Sequence, residues 1–200
     1  MNAVISYDDF IEYMGYRRDN NVIIPIILIR PSVFIMAKNE FPIDRIFEYF
    51  HCRTGRITFF LPGYAHYPSF EYRDFLSPSR PDDNAFAFEF TSRERFFYSQ
   101  QAFIDFVKKI EDSNQNFRYN GDTELLFAKY NSERLELDSI KEFNLTELFL
   151  SGGSVRSAIR SVERFLEDVL RTYDSFGDES AFFENIYMYY NSYLSRGRGN

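Results

Sequence analysis

The fold turns on residues 21–64, where "NVIIPIILIR" (21–30), "FPIDRIFEYFHCRTG" (41–55) and "RITFFLPGY" (56–64) follow one another. The first is a short, β-branched apolar run, which predicts a buried strand from Val22 to Ile29. Pro25 removes a ladder donor, so an edge position or a bulge is expected there. In the second, Pro42 suits a first helical turn. Ile43, Ile46, Phe47 and Phe50 recur at the spacing of a core-facing helical stripe, and Gly55 closes it. The third alternates through Ile57, Phe59 and Leu61 and stops at Pro62-Gly63, which reads as a strand. Strand, helix, strand in that order predicts a crossover with parallel strands.

Further along, Ala65 to Asn84 is rich in Pro, Ser, Tyr and Asp without a period, as a long surface excursion would be. "AFAFEF" (85–90) reads as a strand with Phe86, Phe88 and Phe90 on one face. "SQQAFIDFVKKIEDSN" (99–114) reads as a helix capped by Ser99, with Ala102, Phe103, Phe106, Val107 and Ile110 as its stripe. "NGD" (120–122) marks a turn, and "TELLFAKY" (123–130) and "LTELFL" (145–150) read as strands. Residues 132–144 carry no single period. A helix then runs from Ser154 to about Tyr173, with Val155, Ala158, Ile159, Val162, Phe165, Leu166, Val169, Leu170 and Tyr173 facing inward, and a second from Glu179 to Leu194. The expected fold is α/β: a mostly parallel sheet of about five strands flanked by helices, with a C-terminal helical pair. One α/β domain is expected over 1–175. An aromatic helix over 176–195 either belongs to it or serves as an interface appendage, and 196–200 reads as a disordered tail.

Composition narrows the class. Cys52 is the single cysteine, so no intramolecular disulfide forms and no CxxC motif exists. The first twenty residues lack the basic-then-apolar order of a signal peptide. No apolar run approaches the roughly 20 residues of a membrane helix. A cytoplasmic protein without membrane contact is expected. A net charge of −7 with no long basic run argues against direct nucleic-acid contact. The 24 Phe and 15 Tyr look excessive. At about 150–250 Å² each they would cover roughly 8,000 Å², against about 25,000 Å² hidden by a chain of this size, so one core can hold them.

Three stretches, "FEYFHCRTGRITFFLPGY" (47–64), "FVKKIEDSNQNFRYNGDTELLF" (106–127) and "SVERFLEDVL" (161–170), resemble an uncharacterised group of small bacterial proteins associated with mobile, phage-defence gene neighbourhoods. The resemblance spans roughly Ile43 to Arg171. It implies an intracellular component of a multi-gene system and carries over no catalytic residue.

Two places bear on function. In "LFLSGGSVRSAIR" (148–160) a Gly-containing loop meets a helix N-terminus, which presents free N–H groups and the positive end of the helix dipole. Gly152 and Gly153 would let a phosphate approach the backbone, Ser151 or Ser154 would donate a hydroxyl, and Arg156 would add charge. The simpler alternative makes the glycines a turn and Ser154 a cap, and sends the arginines into water. Arg156, Arg160, Arg164 and Arg171 then form a solvated face with Glu163, Glu167 and Asp168, through i, i+4 pairs Glu167–Arg171 and Arg164–Asp168. The loop lacks the lysine of a Walker A motif and the third glycine of a dinucleotide fingerprint. The second place is the final helix. Phe182, Ile186, Tyr189 and Tyr193 form one stripe, and Phe183, Tyr187, Tyr190 and Leu194 the next. That arc of about 160° is wider than a surface helix uses, which predicts an interface with another chain or a helix lodged deeply in its own domain.

His51 and Cys52 point about 100° apart on their helix and His66 lies in the long loop, so neither a zinc site nor a Cys–His pair is expected. Arg53 and Arg56 complement a helix C-terminus. No cofactor is called for. The expected function is a non-catalytic binding or regulatory subunit of a bacterial multi-protein system, acting by self-association or partner docking. The alternative is an enzyme or sensor for a nucleotide or other phosphate ligand at the Ser151–Arg156 turn.

Overall fold

The elements follow from the sequence with a few exchanges. A computed structural model describes residues 2–4, 6–17, 22–30, 58–67, 85–89, 95–131, 134–175 and 177–197. In chain order these form β1 (Asn2–Val4), α1 (Tyr7–Arg17), β2 (Val22–Leu28), β3 (Phe60–Pro62), β4 (Tyr64–Tyr67), β5 (Ala85–Glu89) and β6 (Arg95–Ser99). There follow α2 (Gln100–Ser113), β7 (Glu124–Tyr130), β8 (Leu135–Asn144), α3 (Leu145–Leu150), α4 (Val155–Asp174) and α5 (Glu179–Gly197). Among the described residues no helix is long and apolar enough to cross a membrane.

The chain is α/β, but its main sheet is mixed, not mostly parallel. The body of the sheet runs β3-β2-β7-β8, with the short β1 alongside β3. β2 and β3 are parallel through Ile26 and Phe60, as the crossover reading requires, and β1 is parallel to β3. β7 is antiparallel to both β2 and β8. For β7 and β8 the reason is the short connection at 131–134, closed by the Asn131 N–H donating to the Arg134 carbonyl at 3.1 Å, which only antiparallel neighbours can use. The predicted helix at Pro42–Gly55, with Ile43, Ile46, Phe47 and Phe50, lies outside the described residues.

Pro25 is not at an edge. β2 lies between β3 and β7, and Pro25 pairs with Phe127 within an unbroken register from Val22↔Tyr130 to Leu28↔Glu124. A strand residue directs its N–H to one flank only, and toward β3 the pairing of β2 is confined to Ile26↔Phe60, so little ladder exists there to interrupt.

A second, antiparallel sheet, β4-β6-β5, begins where surface excursion was expected, so Ala65, His66 and Tyr67 are strand residues. The turn into it needs Gly63. Its φ is +81°, and a Cβ there would stand 2.8 Å from Phe103 Cβ and 3.0 Å from the Ser99 carbonyl oxygen.

"LTELFL" is helical, not a strand. Asn144 caps it by accepting from the Glu147 N–H at 2.7 Å, and Leu145, Leu148 and Phe149 are its buried face, an i, i+3, i+4 pattern. α2 and α4 start at their predicted caps: Ser99 accepts from the Ala102 N–H and Ser154 from the Ser157 N–H, each at 3.2 Å. α4 buries Ala158, Val162, Phe165, Leu166 and Val169, but Val155, at the overhanging first position, is exposed. α5 continues past the predicted end, so Ser195, Arg196 and Gly197 are helical, where 196–200 reads as a tail.

Candidate functional site: an arginine-lined cavity

Beyond the cap of α4, the polar residues recur every three or four positions: Arg156, Ser157, Arg160, Ser161, Arg164. That spacing puts them on one ridge of the helix, turned away from the core face. α5 packs against α4 and brings Tyr193 and Arg196 opposite this ridge. Between them lies a cavity of about 350 Å³, which the Gly152–Gly153–Ser154 turn also lines. Four arginines line it, Arg156, Arg160, Arg164 and Arg196, and among the described residues none of the lining side chains is a carboxylate.

The local chemistry leaves these cations uncommitted. Asp168, the expected partner of Arg164, is taken: it accepts from Arg171 at 2.6 Å and from the Tyr193 hydroxyl at 2.8 Å. Arg171 thus pairs at i, i+3 with Asp168, where the sequence suggests Glu167. Among the described residues, the side chains of Arg156, Arg160 and Arg164 make no hydrogen bond or ion pair. Arg196 lies over the Tyr193 ring at 5.6 Å. Burial and the bond to Asp168 push the Tyr193 hydroxyl up to about 12, while the charges of Arg164 and Arg196 pull the other way, so both cations are felt at that ring.

The turn itself divides into scaffold and ligand-facing parts. Ser151 caps α3, donating its hydroxyl to the Leu148 carbonyl at 2.7 Å, and does not line the cavity, although the sequence includes it in the anion site. Gly152 is required by packing, since a Cβ there would sit 2.5 Å from Ala158 Cα. Gly153 has open space around it. Ser154 lines the cavity while capping the helix, and the Val155 and Arg156 N–H groups find no acceptor among the described residues.

The aromatic stripes of α5 are placed differently from an open docking face. Phe182, Ile186 and Tyr190 are buried, and Phe183, Tyr189, Tyr193 and Leu194 are half-buried. Phe182 and Phe183 stand edge-on to Phe127 at 5.5 and 5.8 Å. Tyr190 packs on Phe143 and Phe165 and donates to the Asn144 carbonyl at 2.9 Å. Tyr187, which touches Phe143, and Met188 remain exposed.

A third place has no counterpart in the sequence reading. Glu124 opens β7 almost fully buried, and its Oε2 has no hydrogen-bond partner. Burial, then the nearby charges of Glu142 and Asp122, push its carboxyl up to about 7. The Arg30 guanidinium lies 5.2 Å from the Tyr119 ring. The available signal is one acid placed directly before the apolar run Leu125–Ala128.

Residues 51–57, with His51, Cys52, Arg53 and Arg56, lie outside the described residues, and His66 is in β4. Among the described residues no group of His, Cys, Asp and Glu is arranged to hold a metal. No protein-family model, curated protein or solved structure matches the chain.

Proposed function

We propose that the chain is a binding subunit for a phosphate-bearing ligand, held in the cavity between α4 and α5. One observation carries this reading: four arginines from two helices line a single cavity with no carboxylate among its described lining residues, in a chain of net charge −7. Guanidiniums match phosphate oxygens with paired N–H donors, and the start of α4 adds its own N–H groups and dipole. The described lining offers serine, arginine, glycine and one tyrosine, so it favours holding and sensing the ligand over acid–base turnover.

Thermal denaturation in the presence of phosphate anions tests this. Ligand at a hundred times its Kd adds about 2.7 kcal/mol, which raises Tm by roughly 5–10 °C for a domain of this size. The double variant Arg160→Gln/Arg164→Gln should abolish the shift. A wild-type Tm indifferent to millimolar phosphate, pyrophosphate and triphosphate sinks the reading.

Partner docking is the second reading, with Tyr187 and Met188 as its remaining patch. The resemblance to proteins of phage-defence neighbourhoods supports placing such a subunit in a bacterial multi-protein system. Light scattering of wild type and Tyr187→Ser/Met188→Ser would test self-association directly; equal monomer masses remove it.

A further inference from the structure

Resting on the phosphate reading above, we infer that the ligand is a short oligophosphate, recognised by the number of its phosphates and not by any organic group they carry. Charge comes first. A single phosphate brings about −1.5 to −2 at neutral pH, well short of the four guanidiniums around the cavity. Two or three linked phosphates come much closer to neutralising them.

Shape agrees with charge. Arg156, Arg160 and Arg164 advance by four residues each, so their backbone positions form a row about 12 Å long. The near end holds Ser154 and the N–H groups of the first turn. At the far end Arg164 and Arg196 both act on Tyr193, so two cations meet there. A linear anion fits such a row, whereas a compact one engages only part of it.

The walls explain the indifference to an organic group. Tyr193 is the only ring among the described lining side chains, and it is occupied: Arg196 covers its face and Asp168 holds its hydroxyl. No described side chain in the cavity offers a free flat surface on which a base would stack. The small volume and the acidic chain around it also fit a small ligand better than a nucleic-acid strand, which needs a longer basic track.

Calorimetric titration of the intact chain at fixed ionic strength, without divalent metal, tests this with orthophosphate, pyrophosphate, tripolyphosphate, ATP, GTP and an oligothymidylate. Affinity should rise about tenfold or more with each added phosphate up to three. ATP and GTP should bind within about threefold of each other and of tripolyphosphate, since a base that finds no partner adds little. Arg164→Gln/Arg196→Gln should weaken tripolyphosphate by at least about tenfold more than orthophosphate, so that the preference for the longer anion falls; Arg156→Gln should weaken every ligand. Equal affinities for orthophosphate and tripolyphosphate, a tenfold preference between ATP and GTP, or tightest binding of the oligonucleotide would each overturn the oligophosphate inference and leave the phosphate site standing. Binding of none of the six overturns both.

Discussion

Helices α4 and α5 lie side by side, and each carries more of one residue type than a surface helix needs. On α5 the excess is aromatic, and the chain itself accounts for most of it: Phe127, Phe143 and Phe165 receive the rings of Phe182, Phe183 and Tyr190. On α4 it is arginine along the cavity ridge: the helix carries as many acids as arginines, yet among the described residues Arg156, Arg160 and Arg164 make no ion pair, Asp168 being held by Arg171 and Tyr193. An excess therefore signals function only after the folded chain has supplied what partners it can. By that measure the arginines outrank the rings.

The largest effect that bears on this contrast is expected at Phe182. Phe182→Ala should lose about 3–5 kcal/mol in urea denaturation, because a nearly inaccessible ring leaves a cavity against Phe127 and Phe183. Arg160→Gln/Arg164→Gln should stay within about 0.5 kcal/mol of wild type by the same measurement. A Phe182→Ala loss below about 1 kcal/mol would break the contrast, since α5 would then not be seated as described.

The two glycines sharpen it at a smaller scale. Gly152→Ala should cost about 1–3 kcal/mol, because its Cβ would press on the backbone of Ala158. Gly153→Ala should cost no more than about 0.5 kcal/mol, with its effect appearing in anion affinity instead. Equal stabilities for the two variants would contradict the division of the turn into scaffold and ligand-facing parts.

A pH-dependent effect comes from Glu124, a polar group enclosed by packing. Its carboxyl is raised to about 7 in the folded chain, chiefly by burial, so the folded state holds the proton more tightly than the unfolded one. The stability from that protonated form is complete below the ordinary carboxyl range and is lost as pH rises through about 7. Glu124→Gln should therefore gain about 1–2 kcal/mol over wild type near pH 8, after solvent screening, and gain little near pH 5. Parallel urea curves for the two proteins at both pH values would refute the raised carboxyl.

Local signals in the sequence reach the elements they can reach. Val22–Leu28, the Ser99-capped α2, β7, and the Ser154-capped α4 follow from caps and periods carried within each segment. "LTELFL" misleads because it is short and apolar, although Leu145, Leu148 and Phe149 hold a helical spacing behind Asn144. α1 is missed although Ser6 and Asp9 hydrogen-bond reciprocally at its start, with Phe10 and Met14 as its buried residues. The direction of β7 against β2 is a long-range choice that no local pattern encodes. The site divides the same way. Gly152, Gly153, Ser154 and Arg156 are legible from the turn, whereas Arg160 and Arg164 read as a solvated face and Arg196 as part of a tail. Only the packing of α5 on α4 brings these three to one cavity.

The place of Pro25 bears on how the chain is made. β2 leaves the ribosome long before its partner, since its register with β7 is complete only when Tyr130 has emerged. Throughout that interval a β-branched apolar ribbon lacks its antiparallel neighbour and offers other nascent chains an adhesive template. A proline in the middle of the ribbon removes one ladder donor, so that strangers cannot extend it on both flanks, while the register with β7 still forms through Pro25↔Phe127. A residue so placed is expected to work as a gatekeeper during synthesis.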